Sequence, residues 1–162
     1  MTAGAGTQHG TVRREKIPIA ADHAGFAMKE QLKRDLERLG YEPVDLGAQS
    51  EEASDYPVFA HSVAQRISTG EVRRGVLLCG SGIGMDIVAN RYPGVRAALA
   101  WQPDIAELSR KHNDSNVLVL PSRFMSDGEA SAALEKWLET DFEGGRHQRR
   151  VEQIEAAKGA RK

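Results

Sequence analysis

Five short apolar runs punctuate this chain at Ile17–Ala20, Val44–Leu46, Gly75–Cys79, Val95–Ala100 and Val117–Leu120, and amphipathic stretches separate them. The runs are bounded by Gly, Asp or Pro, the pattern of strands buried in a parallel sheet. Met28, Leu32, Leu36 and Leu39 recur at helical spacing, as do Phe59, Val63 and Ile67; Ile105 with Leu108, and Leu134 with Trp137 and Leu138, mark further helices. A short helix is expected over Met85–Asn90, and a charged one from about Arg149 to Lys158. Strand alternating with helix predicts a parallel sheet covered by helices on both faces. Pro18 alone resists: it lacks a backbone N–H, so it lies at the start of the first strand or leaves a gap in the ladder.

The length of 162 residues, 40% of them apolar, suits one compact domain. Residues 1–15 lack periodicity and are expected to be a flexible tail. Residues 16–162 form the expected single domain, with a helical extension from about residue 146. Twenty-two Lys and Arg against 23 Asp and Glu leave no global field to draw the chain onto nucleic acid or an anionic membrane. No apolar stretch approaches the roughly 18 residues of a membrane span, and the start lacks the apolar region of a secretory signal, so a cytoplasmic location is expected. Cys79 is the only cysteine, which excludes an intramolecular disulfide framework and a Cys-rich zinc site.

Ligands of an open parallel sheet bind beyond the carboxyl ends of its strands. There the chain places Asp22-His23-Ala24-Gly25 after the first run, Gly80-Ser81-Gly82-Ile83-Gly84 after the third, and Ser122-Arg123 after the fifth. Closely spaced glycines let backbone N–H groups turn toward a phosphate or a developing oxyanion. Neither a dinucleotide fingerprint nor a Walker A loop fits, because Met85 stands where the former needs Gly and no Gly-Lys-Ser/Thr follows. Cys79 ends its strand in front of this loop, at the positive end of the next helix, a setting in which a thiolate base or nucleophile forms. A phosphatase loop would place Arg where Met85 stands. Of the histidines, His23, His112 and His147 lie at candidate positions, whereas His9 falls in the tail and His61 on a helix face. No metal-ligand spacing surrounds them, so no metal is expected. Arg146-His147-Gln148-Arg149-Arg150 reads either as a solvated helix start or as a phosphate-binding cluster, and Arg123 as a further anion ligand.

Taken together, Asp22-His23-Ala24-Gly25, Asp55-Tyr56-Pro57, Cys79 to Met85, Ala89-Asn90-Arg91 and His112 to Leu118 resemble the type B ribose-5-phosphate isomerase family in order and spacing, over about residues 17–153. The resemblance implies a Rossmann-like three-layer α/β/α sandwich with a five-stranded parallel sheet. It implies an aldose–ketose isomerase, with ribose 5-phosphate and ribulose 5-phosphate as first choice. Paralogues on four- or six-carbon sugar phosphates, a non-catalytic phosphosugar-binding module and a flavodoxin-like nucleotide binder are the alternatives. The coexistence of Cys79 and His112 favours the enzyme. By the same resemblance Cys79 is the base, His112 opens the furanose ring and Ser81 belongs to the catalytic group. Asp22 and Asn113 hold sugar oxygens, Gly80, Gly82, Ile83 and Gly84 cradle the enediolate, and Tyr56 lines the sugar pocket. His23, Arg123, Arg146 and Arg150 contact phosphate. One subgroup carries Glu at the position of Met85 and lacks the cysteine; this chain sorts with the cysteine subgroup. No cofactor is implied, and the expected assembly is a homodimer or homotetramer with shared active sites.

Overall fold

The structure is a computed structural model that describes residues 13–156; most of the expected tail, and Lys158 of the expected last helix, lie outside the described residues. Five strands, β1 (Lys16–Ala21), β2 (Glu42–Asp45), β3 (Gly75–Cys79), β4 (Ala97–Leu99) and β5 (Val117–Pro121), form one parallel sheet in the order β2-β1-β3-β5-β4. The helices are α1 (Phe26–Arg38), α2 (Tyr56–Ser68), α3 (Ile83–Ala89), α4 (Pro103–Asn113), α5 (Asp127–Glu139) and α6 (Arg146–Ala156).

Strands apolar on both sides need a helical layer on each face, and the core divides accordingly. Met28, Leu32 and Leu36 of α1 and Leu134, Trp137 and Leu138 of α5 pack with Ile17, Ile19, Leu78 and Leu118 on one face. Val63 and Ile67 of α2 and Met85 and Ala89 of α3 pack with Leu77, Val117 and Val119 on the other. The result is the expected three-layer Rossmann-like sandwich.

Several boundaries differ from the sequence pattern; β2, for example, runs Glu42–Asp45 rather than Val44–Leu46, and α3 runs Ile83–Ala89 rather than Met85–Asn90. β4 is shorter than the apolar run Val95–Ala100, because the Val95 amide closes a turn onto the Tyr92 carbonyl and the Arg96 amide donates to Asn116 Oδ1 at 2.8 Å. α6 begins at Arg146, where the helical extension is expected and three residues before the start of its charged pattern at about Arg149. Glu15, the last residue of the expected tail, pairs with Arg74 at 2.7 Å.

Pro18 occupies the middle of β1, and the ladder has the gap. Alternate residues of a parallel strand bond to opposite neighbours. Ile19 and Ala21 bond toward the β2 side, through Leu46, Gly47 and Ala48, so Pro18 turns toward β3. Pairing with β3 begins only at Ile19↔Val76, so the missing N–H falls where that ladder has not yet started.

The helical pattern of α1 hides one buried charge. Lys29 is fully buried, and its Nζ lies 2.7 Å from Asp45 Oδ1 and 3.2 Å from Glu30. Lys33 reaches the other Asp45 oxygen at 2.7 Å, and the Gly47 amide donates to Oδ1 at 2.9 Å. Burial pushes the Asp45 carboxyl up, but the bonds from Lys29, Lys33 and Gly47 outweigh it and hold the group below its ordinary value. This stabilisation is present at neutral pH and disappears as pH falls through the lowered value. Breaking a buried pair from one side strands the other charge, so Asp45→Asn is expected to cost about 3 kcal/mol. Lys29→Met, which removes the buried charge and keeps its volume, should cost less than about 1 kcal/mol. Urea unfolding of the two variants at pH 7 measures both; equal losses would contradict this account of the pair.

Candidate active site

The carboxyl edge of the sheet gathers the first group of candidate residues. Asp22 is 7% exposed and caps the 3-10 turn His23–Gly25, its Oδ1 accepting from the Ala24 and Gly25 amides at 3.0 and 3.2 Å. Gly25 packs so tightly on β3 that an added Cβ would meet the Leu78 Cβ at 2.8 Å. His23 is held by reciprocal bonds with Ser54: its amide donates to Ser54 Oγ at 3.1 Å, and its Nδ1 accepts the Ser54 amide at 3.2 Å. An accepting Nδ1 leaves Nε2 as the ring's N–H donor, the form suited to an anion.

Cys79 closes β3 and is 5% exposed, its Sγ accepting the Gly82 amide at 3.0 Å. Gly82 reaches that bond at φ 76°, where an added Cβ would also lie 2.4 Å from Leu99 Cδ1. Both the left-handed backbone and the lack of space exclude a side chain there. Ser81 Oγ accepts the Ile83 amide at 3.3 Å on the exposed side of the loop. At Gly84 an added Cβ would lie 2.4 Å from the Tyr56 ring, so the glycine lets Tyr56 lie against the loop. The Arg123 guanidinium similarly comes within 3.0 Å of the place a Gly80 Cβ would take. Ser122 ties the strand ends together: its hydroxyl faces the carbonyls of Ala24 at 3.0 Å and Cys79 at 3.1 Å, and its amide donates to Cys79 at 2.9 Å. Asp22, His23, Tyr56, Cys79, the Gly80–Gly84 loop and Arg123 therefore share one edge of the molecule.

His112, Asn113, Arg146 and Arg150 do not join them. α4 runs back against the strand direction, so His112 and Asn113 end it beside the start of β5, at the amino edge of the sheet. The four steps from Val117 to Pro121, at about 3.3 Å each, set the two edges about 13 Å apart along the strands. α6 starts at the same amino edge. Its His147 stacks on His112 with ring centroids 4.4 Å apart and planes 11° from parallel, and Arg146 and Arg150 flank it on the same helix. Glu143 completes this second cluster, its Oε2 3.6 Å from His147 Nε2.

His112, Glu143 and His147 bring one donor atom each within 4.8 Å of one another. Near-parallel stacked rings, however, aim their nitrogen lone pairs along separate planes rather than at a common point, so the arrangement does not suit chelation of one metal ion.

Four residues with a part in these clusters carried little sequence signal. Ser54 is marked only by adjoining Asp55-Tyr56-Pro57, and Ser122 only by following the fifth apolar run. Glu143 sits in an irregular connection. Asp86, beyond the glycine loop, reads as an ordinary polar helix position, yet its Oδ1 is buried without a hydrogen-bond partner.

The model of the Ribose/Galactose Isomerase family matches residues 17–154. Ribose-5-phosphate isomerase B of Escherichia coli is 44% identical over 88% of this chain and 95% of its own length. The crystal structure of a ribose 5-phosphate isomerase from Thermotoga maritima is 48% identical with a TM-score of 0.85, covering 89% of this chain and 99% of that one. Ribose-5-phosphate isomerase B from Mycoplasma genitalium, solved with bound ribulose 5-phosphate, is 38% identical with a TM-score of 0.86, covering 90% and 97%.

Burial pushes the Asp86 carboxyl from 3.8 up to about 6. A carboxyl raised in the folded state favours folding fully below its unfolded value, and that contribution is lost as pH rises through about 6. Asp86→Asn should therefore stabilise the protein at pH 8 by on the order of 1 kcal/mol, reduced from the full linkage value by partial exposure. The gain should vanish near pH 4. Urea midpoints at the two pH values check this, and a gain of the same size at both would disprove it.

Proposed function

The chain belongs to the Ribose/Galactose Isomerase family, and on that premise we propose that it interconverts ribose 5-phosphate and ribulose 5-phosphate through ring opening and an enediolate. The observation that carries this reading is the end of β3, where the buried Cys79 Sγ receives the Gly82 amide within a glycine loop flanked by Asp22, Tyr56 and Arg123. Ring opening breaks the bond between C1 and the ring oxygen. That oxygen takes a proton from His112, and the anomeric hydroxyl releases its own proton to water, leaving the C1 carbonyl. Cys79 then takes the C2 proton and returns it to C1, while a proton moves from O2 to O1. The reaction is redox-neutral, so the proposal includes no cofactor.

The Gly80–Gly84 amides and Ser81 offer preorganised donors for the enediolate oxygens, and Asp22 and Asn113 hold sugar hydroxyls. His23, through its Nε2, joins Arg123, Arg146 and Arg150 in binding the phosphate. Residues from 16 onward work as one isomerase domain, with α6 as its C-terminal extension.

One chain supplies only half of such a site at each edge. The proposal therefore includes a homodimer or a larger assembly in which the carboxyl edge of one copy meets the amino edge of another. Cys79 of one copy then faces His112, Asn113, Arg146 and Arg150 of the next. Tyr56, Ile83, Ile87 and Trp101 expose apolar surface on and near the carboxyl edge, which supports a covering partner there.

Coupled assays across four-, five- and six-carbon aldose phosphates should give the highest kcat/KM with ribose 5-phosphate; a higher value with another sugar would reassign the substrate. Cys79→Ala should lower kcat by at least about 100-fold while leaving substrate affinity nearly unchanged, because a lost base affects the transition state rather than ground-state binding. Near-normal turnover would refute the base assignment. Hybrids of a Cys79→Ala chain with an Arg146→Ala/Arg150→Ala chain test sharing between copies. Sites shared in trans place both lesions in one site and neither in the other, so about half of the hybrid sites should work. Uniformly low activity would show that each chain builds its own site.

A further inference from the structure

The amino-edge cluster contains a buried histidine that the proposed chemistry leaves without a task. His147 is 6% exposed, and its ring covers one face of His112 at 4.4 Å between centroids. We propose that His147 is a positioning residue that holds the His112 imidazole in the orientation required for ring opening, an inference that rests on the assignment of His112 as the ring-opening acid.

Three backbone features build the stack. The Glu143 amide donates to the Lys111 carbonyl at 3.1 Å, pinning the connection before α6 onto the end of α4. Gly144 and Gly145 then take positive φ, 66° and 55°, and turn the chain so that α6 starts beside His112. The His147 amide closes onto the Gly144 carbonyl at 3.0 Å, so the ring is carried by a fixed first turn. A histidine at the end of a helix otherwise retains free rotation about two side-chain bonds. A second ring against its face removes much of that freedom before substrate arrives.

Burial, with the charges around it, favours the neutral form of His147. It faces His112 from α4, Glu143 from the connection, and Arg146 and Arg150 from its own helix. Burial holds its imidazole below the ordinary value, the charges of His112 and the two arginines add to this, and Glu143 opposes it. A neutral aromatic face beside a protonated imidazole is attractive, whereas two stacked imidazolium rings repel. The stacked ring thus leaves His112 in an orientation that does not need to be found by rotation.

The test separates ring opening from proton transfer at carbon. Ribulose 5-phosphate is an open-chain ketose, because its O5 is phosphorylated and cannot close a furanose. Enzyme-catalysed exchange of its C1 hydrogen with D2O therefore reports the Cys79 step without ring opening. His147→Ala is expected to slow isomerisation of ribose 5-phosphate by about 10- to 100-fold, while exchange stays within about threefold of wild type. His147→Phe, which keeps a ring on His112, should restore isomerisation to within about threefold of wild type. Equal loss of both activities in His147→Ala, unchanged isomerisation, or no recovery in His147→Phe would each overturn the role of His147. Absence of both activities from the wild-type protein would instead overturn the isomerase reading and this inference with it.

Discussion

All five strands run in one direction, and that polarity governs where chemistry can collect. Every strand delivers its last residue and those that follow to the same edge, so Asp22, Cys79 and Ser122 meet although 100 positions separate the first from the last. Every helix must return the chain to the other edge, so residues that close helices, such as His112 and Asn113, arrive there. A parallel sheet therefore sorts its functional residues by whether they follow a strand or a helix. In this chain the sorting sets the residues of one expected constellation at two opposite edges.

Within the carboxyl edge the close packing of the loop depends on the absence of side chains. Gly25 lets the first turn lie on β3, Gly82 lets an amide reach the Cys79 sulfur, and Gly84 admits the Tyr56 ring. Each contact is closer than a Cβ would allow, so the loop is fixed by packing as much as by its own backbone. Hydrogen bonds finish the work: Ser122 links the ends of two strands to the first turn, and Ser54 fixes the ring of His23. The polar groups in this part of the molecule are spent on positioning.

The charged groups elsewhere divide by how they are compensated. Lys29 is fully buried but meets two carboxylates, Glu30 at 3.2 Å and Asp45 at 2.7 Å. Asp86 has no such partner for one oxygen and responds by holding its proton to higher pH. His147 is buried, with several cations against one carboxylate around it, and burial first of all favours its neutral form. The same physical cost, removal of a charge from water, gives an ion pair, a raised carboxyl or a neutral ring according to what stands nearby.

The linear order of residues by itself determined the five strands, the helices that cover them and the small or polar residues that follow β1, β3 and β5, because burial and chain reversal leave local marks in apolar runs, helical spacing and glycine. The limits of β3 are visible in Gly75 and Cys79 as written. Other features carry no local mark. Lys29 occupies a helical position that any cation on a wet surface would share, and only the approach of β2 sets Asp45 against it beside Glu30 of its own helix. Pro18 looks disruptive until the sheet order shows that its missing N–H faces the unbuilt end of a ladder. His112 and Cys79 look like partners in one pocket until the direction of α4 carries them to opposite edges. Tertiary structure alone decided these points, since each depends on which elements lie side by side and which way they run, and spacing along a chain does not specify either.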